Sequence, residues 1–154
     1  MNFNVDILAF LFELTFGSLF DKQNPEKGNF SDPVHEGKSM AVRTREVGDV
    51  VIFDLEGEMI LPDIEGFGLH RRVKEMLKAG KRHFLFNFAG MPFMDSTGVG
   101  EFLASFVSIQ NTGGRLVLEK IRSKIRLILD ITGISTLFAS SMFEGEEAAL
   151  KSFP

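Results

Sequence analysis

The amino-acid sequence predicts an α/β domain in residues 41–154, with a mixed β-sheet of four to five strands and helices packed on it, preceded by a helical extension. Three observations indicate this class. Short apolar runs alternate with segments in which apolar residues recur at helical spacing. Glycines stand at several of the boundaries between these segments. Only a tight turn separates the first two apolar runs, whereas helices separate the later ones, so the sheet combines antiparallel and parallel pairing.

The sheet is expected to begin with a β-hairpin. Residues 42–46 alternate, with Arg43 and Arg45 on one side, which is typical of an edge strand. A tight turn at residues 48–49 follows, and the apolar run 50–55 forms the second strand.

A helix and a buried strand come next. Pro62 is expected to open the helix, because proline fits the first helical position, and Gly80 follows its last turn. The face of this helix toward the core is predicted to hold Ile64, Phe67, Val73, Met76 and Leu77. Residues 84–88 are short, almost wholly apolar and end at the loop 90–92, which indicates a central strand covered on both faces.

The remaining elements alternate in the same way. A helix is predicted at 97–111 and a strand at 115–119. A third helix, which ends near Gly133, is marked by Ile121, Ile125, Ile128 and Leu129. A short strand at 136–139 and a final helix at 144–151 complete the predicted domain.

Residues 1–40 differ from the rest of the chain. Their apolar run follows helical spacing, but Asp6 and Glu13 interrupt it, and it is shorter than the ~20 apolar residues of a membrane-spanning helix. A signal peptide has Lys or Arg before its apolar stretch, and none precedes this one. Residues 22–40 have the composition of a linker. The segment is expected to be a docking helix, a dimerisation helix or the product of a misassigned start. The last alternative is considered because Met40 stands where the domain begins.

The composition narrows the possible functions. The net charge of -4 at pH 7 gives no indication of a polyanionic partner such as nucleic acid. The chain has no cysteine, so disulfides, thiolate catalysis and thiolate zinc sites are excluded. The three histidines are His35, His70 and His83, and they lack the paired spacing of metal ligands.

One stretch places a hydroxyl group at the start of a helix. Asp95 and Ser96 follow the central strand directly and precede the helical pattern, while Gly98 and Gly100 leave the backbone of that turn open. Two interpretations follow. Either Ser96 or Thr97 caps the helix, or Ser96 is a site of reversible phosphorylation. A phosphate there would gain ~0.3–1 kcal/mol from the helix N-terminus, although Asp95 would repel its charge.

The hexapeptide Asp95-Ser96-Thr97-Gly98-Val99-Gly100 resembles the signature of STAS domains, specifically of bacterial anti-sigma-factor antagonists. The similarity covers about residues 41–153, because further segments match in the same order. These segments are Gly57-Glu58, Phe93-Met94, and residues 111–116, 121–129, 132–134, 137–138 and 146–150.

The resemblance implies a STAS fold and a non-enzymatic, cytoplasmic partner switch without a cofactor or metal. Unphosphorylated protein would bind an anti-sigma factor that has serine kinase activity. Phosphorylation of Ser96 would release it, and a metal-dependent serine phosphatase would restore the starting state. By the same resemblance, the partner-binding residues are Asp95, Thr97, Gly98, Val99, Gly100, Arg122 and Lys124.

One position departs from the pattern of the family. Many antagonists have an aspartate two residues after the Gly-Glu pair, whereas this chain has Ile60 there. Asp63 lies nearby and either substitutes for that aspartate or stands at the start of the helix. The departure concerns the contact that this aspartate makes with the partner kinase in the family.

Catalysis by Ser96 is not expected. A serine nucleophile needs a base within hydrogen-bond reach, and the predicted order of elements places His70 and His83 away from Ser96. Asp95 alone is a poorly matched base for a hydroxyl group.

The basic residues on and after the first helix indicate either a solvated surface or an acidic partner; they are Arg71, Arg72, Lys74, Lys78, Lys81 and Arg82.

Two other functions remain open at this point. One is a constitutive interaction module, such as the STAS component of a lipid-transport ATPase or of a signalling scaffold. The other is a sensor of a small ligand or nucleotide.

Overall fold

The computed structural model describes residues 41–59, 68–94 and 96–154. The predictions for residues 1–40 and for the helix start at Pro62 lie outside these residues. Five strands form one sheet: β1 (Ala41–Val47), β2 (Val50–Met59), β3 (His83–Met94), β4 (Arg115–Glu119) and β5 (Met142–Phe143). The helices of the described ranges are α1 (Leu69–Lys78), α2 (Ser96–Asn111), α3 (Ser123–Ile131), a 3₁₀-helix (Ile134–Phe138) and α4 (Glu146–Lys151).

The sheet is mixed, as predicted, and this confirms the α/β class. β1 and β2 pair antiparallel through a turn that brings Val47 opposite Val50. The other neighbours pair parallel, in the order β1-β2-β3-β4-β5. β3 is therefore the central strand, and its carboxyl end leads directly to α2.

β3 is longer than the sequence indicates, since residues 90–92 belong to the strand and not to a loop. The pairing with β2 shifts register around Glu56, where a bulge lets the strand continue. Met91 and Pro92 have no register partner on β2, so the missing N–H of Pro92 breaks no ladder bond there. A Cβ atom on Gly90 would lie 3.0 Å from the Leu55 carbonyl oxygen, and this close approach explains the glycine.

The prediction of a strand at residues 136–139 is wrong. Residues 134–138 form a 3₁₀-helix that begins after Gly133, whose φ of 75° is the left-handed conformation. Phe138 is thereby buried against Phe102 and Phe106, with ring centroids 5.4 and 4.7 Å away. The edge of β4 is paired by residues 142–143 instead.

The two faces of the sheet bury different cores. One face is aromatic and packs against α2, where Phe102 contacts Phe86 and Phe88. The opposite face is aliphatic and is covered by α4. Its buried residues are Val50, Ile52, Leu85 and Val117, and Ala149 of α4 packs with them.

Candidate functional site

The signature stretch lies at the carboxyl end of the central strand. β3 ends at Met94, and α2 begins at Ser96, so Ser96 is the first residue of a 16-residue helix. The predicted site residue Asp95 lies outside the described residues, and for Ser96 and Thr97 the structure describes the backbone of the helix only. A hydroxyl at this place stands at the end of the helix where unpaired N–H groups attract anions.

The next turn of α2 is anchored in the core. Gly98 is buried, Val99 is 1% exposed and Gly100 is half-buried. Phe102 continues this buried face and is fully covered. The structure thus gives Gly98 and Val99 packing positions that fix the start of α2 on the sheet, while Phe93, shortly before Ser96, is 37% exposed.

α3 presents an apolar ridge to solvent between basic residues. Ile125 and Leu129 pack inward, against β3 and the 3₁₀-helix. Leu127 is 58% exposed and Ile131 is 75% exposed, and they share one face because they are four residues apart. The predicted site residues Arg122 and Lys124 are exposed beside this ridge, with Arg122 as the residue that precedes the first turn.

A charged network joins the hairpin to the C-terminal helix. Arg45 donates to both oxygens of Asp54, at 2.7 and 3.2 Å, and to both oxygens of Glu146 at the start of α4. Asn87 donates to Asp54 at 2.7 Å. The hydrogen bonds from Arg45 lower the pKa of both carboxyl groups and raise the pKa of the guanidinium. The network positions β1, β2 and α4 relative to one another.

His70 links α1 to α2 through two hydrogen bonds. Its backbone N–H donates to Glu101 at 3.2 Å, and its ring Nε2 lies 2.8 Å from the Ser108 hydroxyl oxygen. Burial lowers the pKa of His70, which favours the neutral ring. Glu101 holds the backbone of His70 and not its ring, and the three residues therefore lack the base-orienting contact of a catalytic triad.

A polar cleft of about 420 Å³ lies beside this link. Its lining is mixed in charge and consists of His70, Arg71, Lys74, Glu75, Lys78 and Glu101. The predicted basic surface of α1 is thus partly balanced by acids from α1 and α2. His83, the other histidine in the described part of the chain, packs its ring against Phe153 with centroids 5.4 Å apart.

The described residues offer neither a metal site of the usual kind nor a membrane-spanning helix. No cluster of three or more His, Cys, Asp or Glu side chains there is arranged to hold a metal ion. Within the same ranges, no helix has both the length and the apolarity to cross a membrane.

Comparison with known proteins identifies the family. The model of the STAS domain family matches residues 41–149. The chain belongs to the STAS family. This STAS domain is 38% identical over 45 residues to the anti-sigma-B factor antagonist of Bacillus subtilis. That match spans 29% of the chain and 41% of the relative, which is less than half of the relative's length.

Solved structures share the fold. SpoIIAA of Bacillus in its phosphorylated form has a TM-score of 0.58 at 23% identity, over 72% of this chain and 97% of that chain. A sulfate transporter family protein of Wolinella succinogenes has a TM-score of 0.54 at 22% identity, over 67% of this chain and 83% of that one. At such identities the likeness concerns the fold alone, and it confirms the predicted STAS architecture.

Several interactions and exposed positions were absent from the sequence-based predictions. The ion pairs of Arg45 and the hydrogen bonds of His70 join residues that are far apart in the chain, so no local pattern reports them. The exposed ridge on α3 had a signal, because apolar residues at 125, 127, 128, 129 and 131 cover more than one helical face.

Proposed function

We propose that this STAS domain is an anti-sigma-factor antagonist and that it acts in the cytoplasm as a non-enzymatic partner switch. Unphosphorylated domain binds an anti-sigma factor with serine kinase activity, phosphorylation of Ser96 ends the complex, and a metal-dependent serine phosphatase reverses the modification. The observation that carries the proposal is the place of Ser96, at the first residue of α2 and directly beyond the central strand. The similarity to the Bacillus subtilis antagonist supports it.

The proposed partner surface combines the start of α2 with α3. Asp95, Thr97 and Gly100 flank the serine, and Gly98 and Val99 hold the turn in place. On α3, the ridge of Leu127 and Ile131 offers exposed apolar area, and Arg122 and Lys124 add positive charge beside it. Exposed large apolar residues with a polar rim are typical of sites that bind proteins.

Residues 41–154 form the proposed domain and residues 1–40 a separate extension.

The histidine environments support a non-enzymatic role. His70 is engaged with Ser108 on the side of α2 that faces α1, and His83 packs against Phe153. Both rings are thus engaged by residues outside the signature stretch. The proposal therefore treats Ser96 as the substrate of a kinase.

A phosphate at Ser96 explains release in physical terms. It adds roughly -2 charges at the centre of the docked surface, where the partner excludes water. An uncompensated charge in such a place costs about 3–5 kcal/mol, which corresponds to roughly two to four decades in affinity.

Phosphosite mapping and quantitative affinity purification from the native host test the proposal together. We expect mass spectrometry to find phosphate on Ser96 and none after Ser96→Ala. As bait, Ser96→Ala should retain an ATP-binding, kinase-fold partner, while Ser96→Glu loses it by roughly 100-fold or more. Ser140→Glu, at an exposed turn serine, is the matched control and should bind like the wild type.

The contrary outcomes are equally specific. An unmodified Ser96 across growth and stress conditions, together with equal capture by wild type and Ser96→Glu, removes the switch. If the retained partner is then a transporter ATPase or a scaffold, the domain is a constitutive interaction module.

A further inference from the structure

Three polar residues form a row across the adjacent strands β2, β3 and β4. Asp54 on β2 is in register with Asn87 on β3, and Asn87 is in register with Glu119 on β4. Register partners in parallel strands point to the same face of the sheet. Two residues earlier on each strand, this face carries Ile52, Leu85 and Val117 of the aliphatic core under α4. We call Asp54, Asn87 and Glu119 the polar row.

Two members of the polar row have hydrogen-bond partners. Arg45 binds both oxygens of Asp54, and Asn87 donates to Asp54 at 2.7 Å. The side-chain oxygen of Asn87 accepts from the Ala89 backbone N–H at 3.0 Å. Arg45 also holds Glu146, so its guanidinium is shared by two carboxylates.

Glu119 is the exception. Its side chain is 0% exposed, and neither carboxyl oxygen has a hydrogen-bond partner in the described part of the structure. A buried carboxylate without partners is costly, and protonation removes most of that cost. Burial accordingly raises the pKa of Glu119.

The charges around Glu119 come from each element nearby. Lys120 on its own strand end and Arg45 on β1 lower its pKa, whereas Glu146 on α4 and Asp54 on β2 raise it. Its neighbour in register on β5 is Phe143, which carries no charge. An ionised Glu119 would therefore be a third carboxylate beside Asp54 and Glu146, around one guanidinium that is already committed to both.

We propose that Glu119 is a proton-operated latch that holds α4 on the sheet. With the carboxyl group neutral, Arg45 keeps Glu146 in place, and α4 covers the aliphatic face. When Glu119 gives its proton to solvent, the new carboxylate competes for Arg45 and needs water, so α4 leaves the face. Opening uncovers Ile52, Leu85 and Val117 next to the polar row. This inference does not depend on Ser96 or on a partner.

Amide hydrogen exchange of the full chain between pH 5 and 8 tests the latch. Protection factors, which correct for the intrinsic pH dependence of exchange, are compared for α4 and for the centre of β3. We expect protection in α4 to fall by up to about tenfold per pH unit, because one proton is released on opening. Protection in α4 stops falling above the pKa that Glu119 has while α4 lies on the sheet. Protection in β3 should change far less.

Variants decide between the latch and other causes. Glu119→Gln and Glu119→Met cannot ionise, and both should make α4 protection independent of pH. Two variants are used because a buried amide can itself disturb folding, while methionine fills similar volume without polar groups. Glu147→Gln, at an exposed position of α4, should retain the wild-type pH dependence.

Three results would overturn the latch. The first is wild-type protection in α4 that does not change with pH. The second is a pH dependence that survives in both Glu119 variants. The third is an equal fall in α4 and β3, which would mean that ionisation destabilises the whole domain and that α4 does not move separately.

Discussion

Phe102 is predicted to be the main anchor of the helix that carries Ser96. Its side chain is 0% exposed, and its ring lies 6.1 Å from Phe86, 6.0 Å from Phe88 and 5.4 Å from Phe138. It thus joins α2 to the central strand and to the 3₁₀-helix at once.

The expected cost of Phe102→Ala follows from this burial. A buried aromatic side chain removes about 150–250 Å² from water, worth about 4–6 kcal/mol at ~25 cal/mol per Å². Mutational series of buried aromatic residues give about 3–5 kcal/mol, so we expect a loss of about 4 kcal/mol in the free energy of unfolding. Phe102→Leu keeps apolar volume but loses the ring contacts, and it should cost about 1–2 kcal/mol.

Urea unfolding followed by far-UV circular dichroism measures both variants, because the chain has no Trp or Tyr for fluorescence. Phe93→Ala is the control, since Phe93 is 37% exposed and should lose less than about 1 kcal/mol. A loss below about 1 kcal/mol for Phe102→Ala, or an equal loss for Phe93→Ala, would refute the view that Phe102 seats α2.

Two further predictions concern Arg45 and Gly114. Arg45→Met should cost about 1–2 kcal/mol at pH 7. Because Arg45 lowers the pKa of Asp54 and Glu146, its stabilisation is present above their unfolded pKa values and is lost as pH falls through the folded ones. Urea unfolding between pH 7 and 3 should therefore show a shallower loss for the variant, and parallel profiles would contradict this. Gly114→Ala should cost about 2 kcal/mol, because a Cβ there would lie 2.6 Å from the Arg82 carbonyl oxygen. Gly145→Ala meets nothing within 4 Å and should cost less than about 1 kcal/mol in the same assay; equal losses would remove the steric explanation.

The sequence was most informative where local pattern and environment agree. The strand at residues 115–119 matches β4 residue for residue, since both faces of this strand are covered and its apolar run is continuous. The hairpin was predictable because its turn and its alternation lie within a few residues. In the structure, α1 begins at Leu69, directly after Gly68. The sequence-based prediction placed the start of this helix at Pro62, which lies outside the described residues.

The candidate site was predictable in position but not in surroundings. The signature placed Ser96 at the start of a helix, and the fold puts that helix at the end of the central strand. The exposure of Leu127 and Ile131 depends on which residues cover α3, and a single helical pattern does not specify this.

By itself, the sequence determined the alternation of strands and helices and the place of Ser96 between them, because periodicity and turn residues are properties of neighbouring positions. The tertiary structure alone decided that residues 134–138 coil into a 3₁₀-helix, that β3 continues through Pro92, and that Glu119 is buried without a hydrogen-bond partner among the described residues. It also brought Arg45 to Glu146, which is 101 residues away. In each case the deciding energy comes from strand pairing, burial or ion pairing with distant segments, and those terms exist only once the chain has folded.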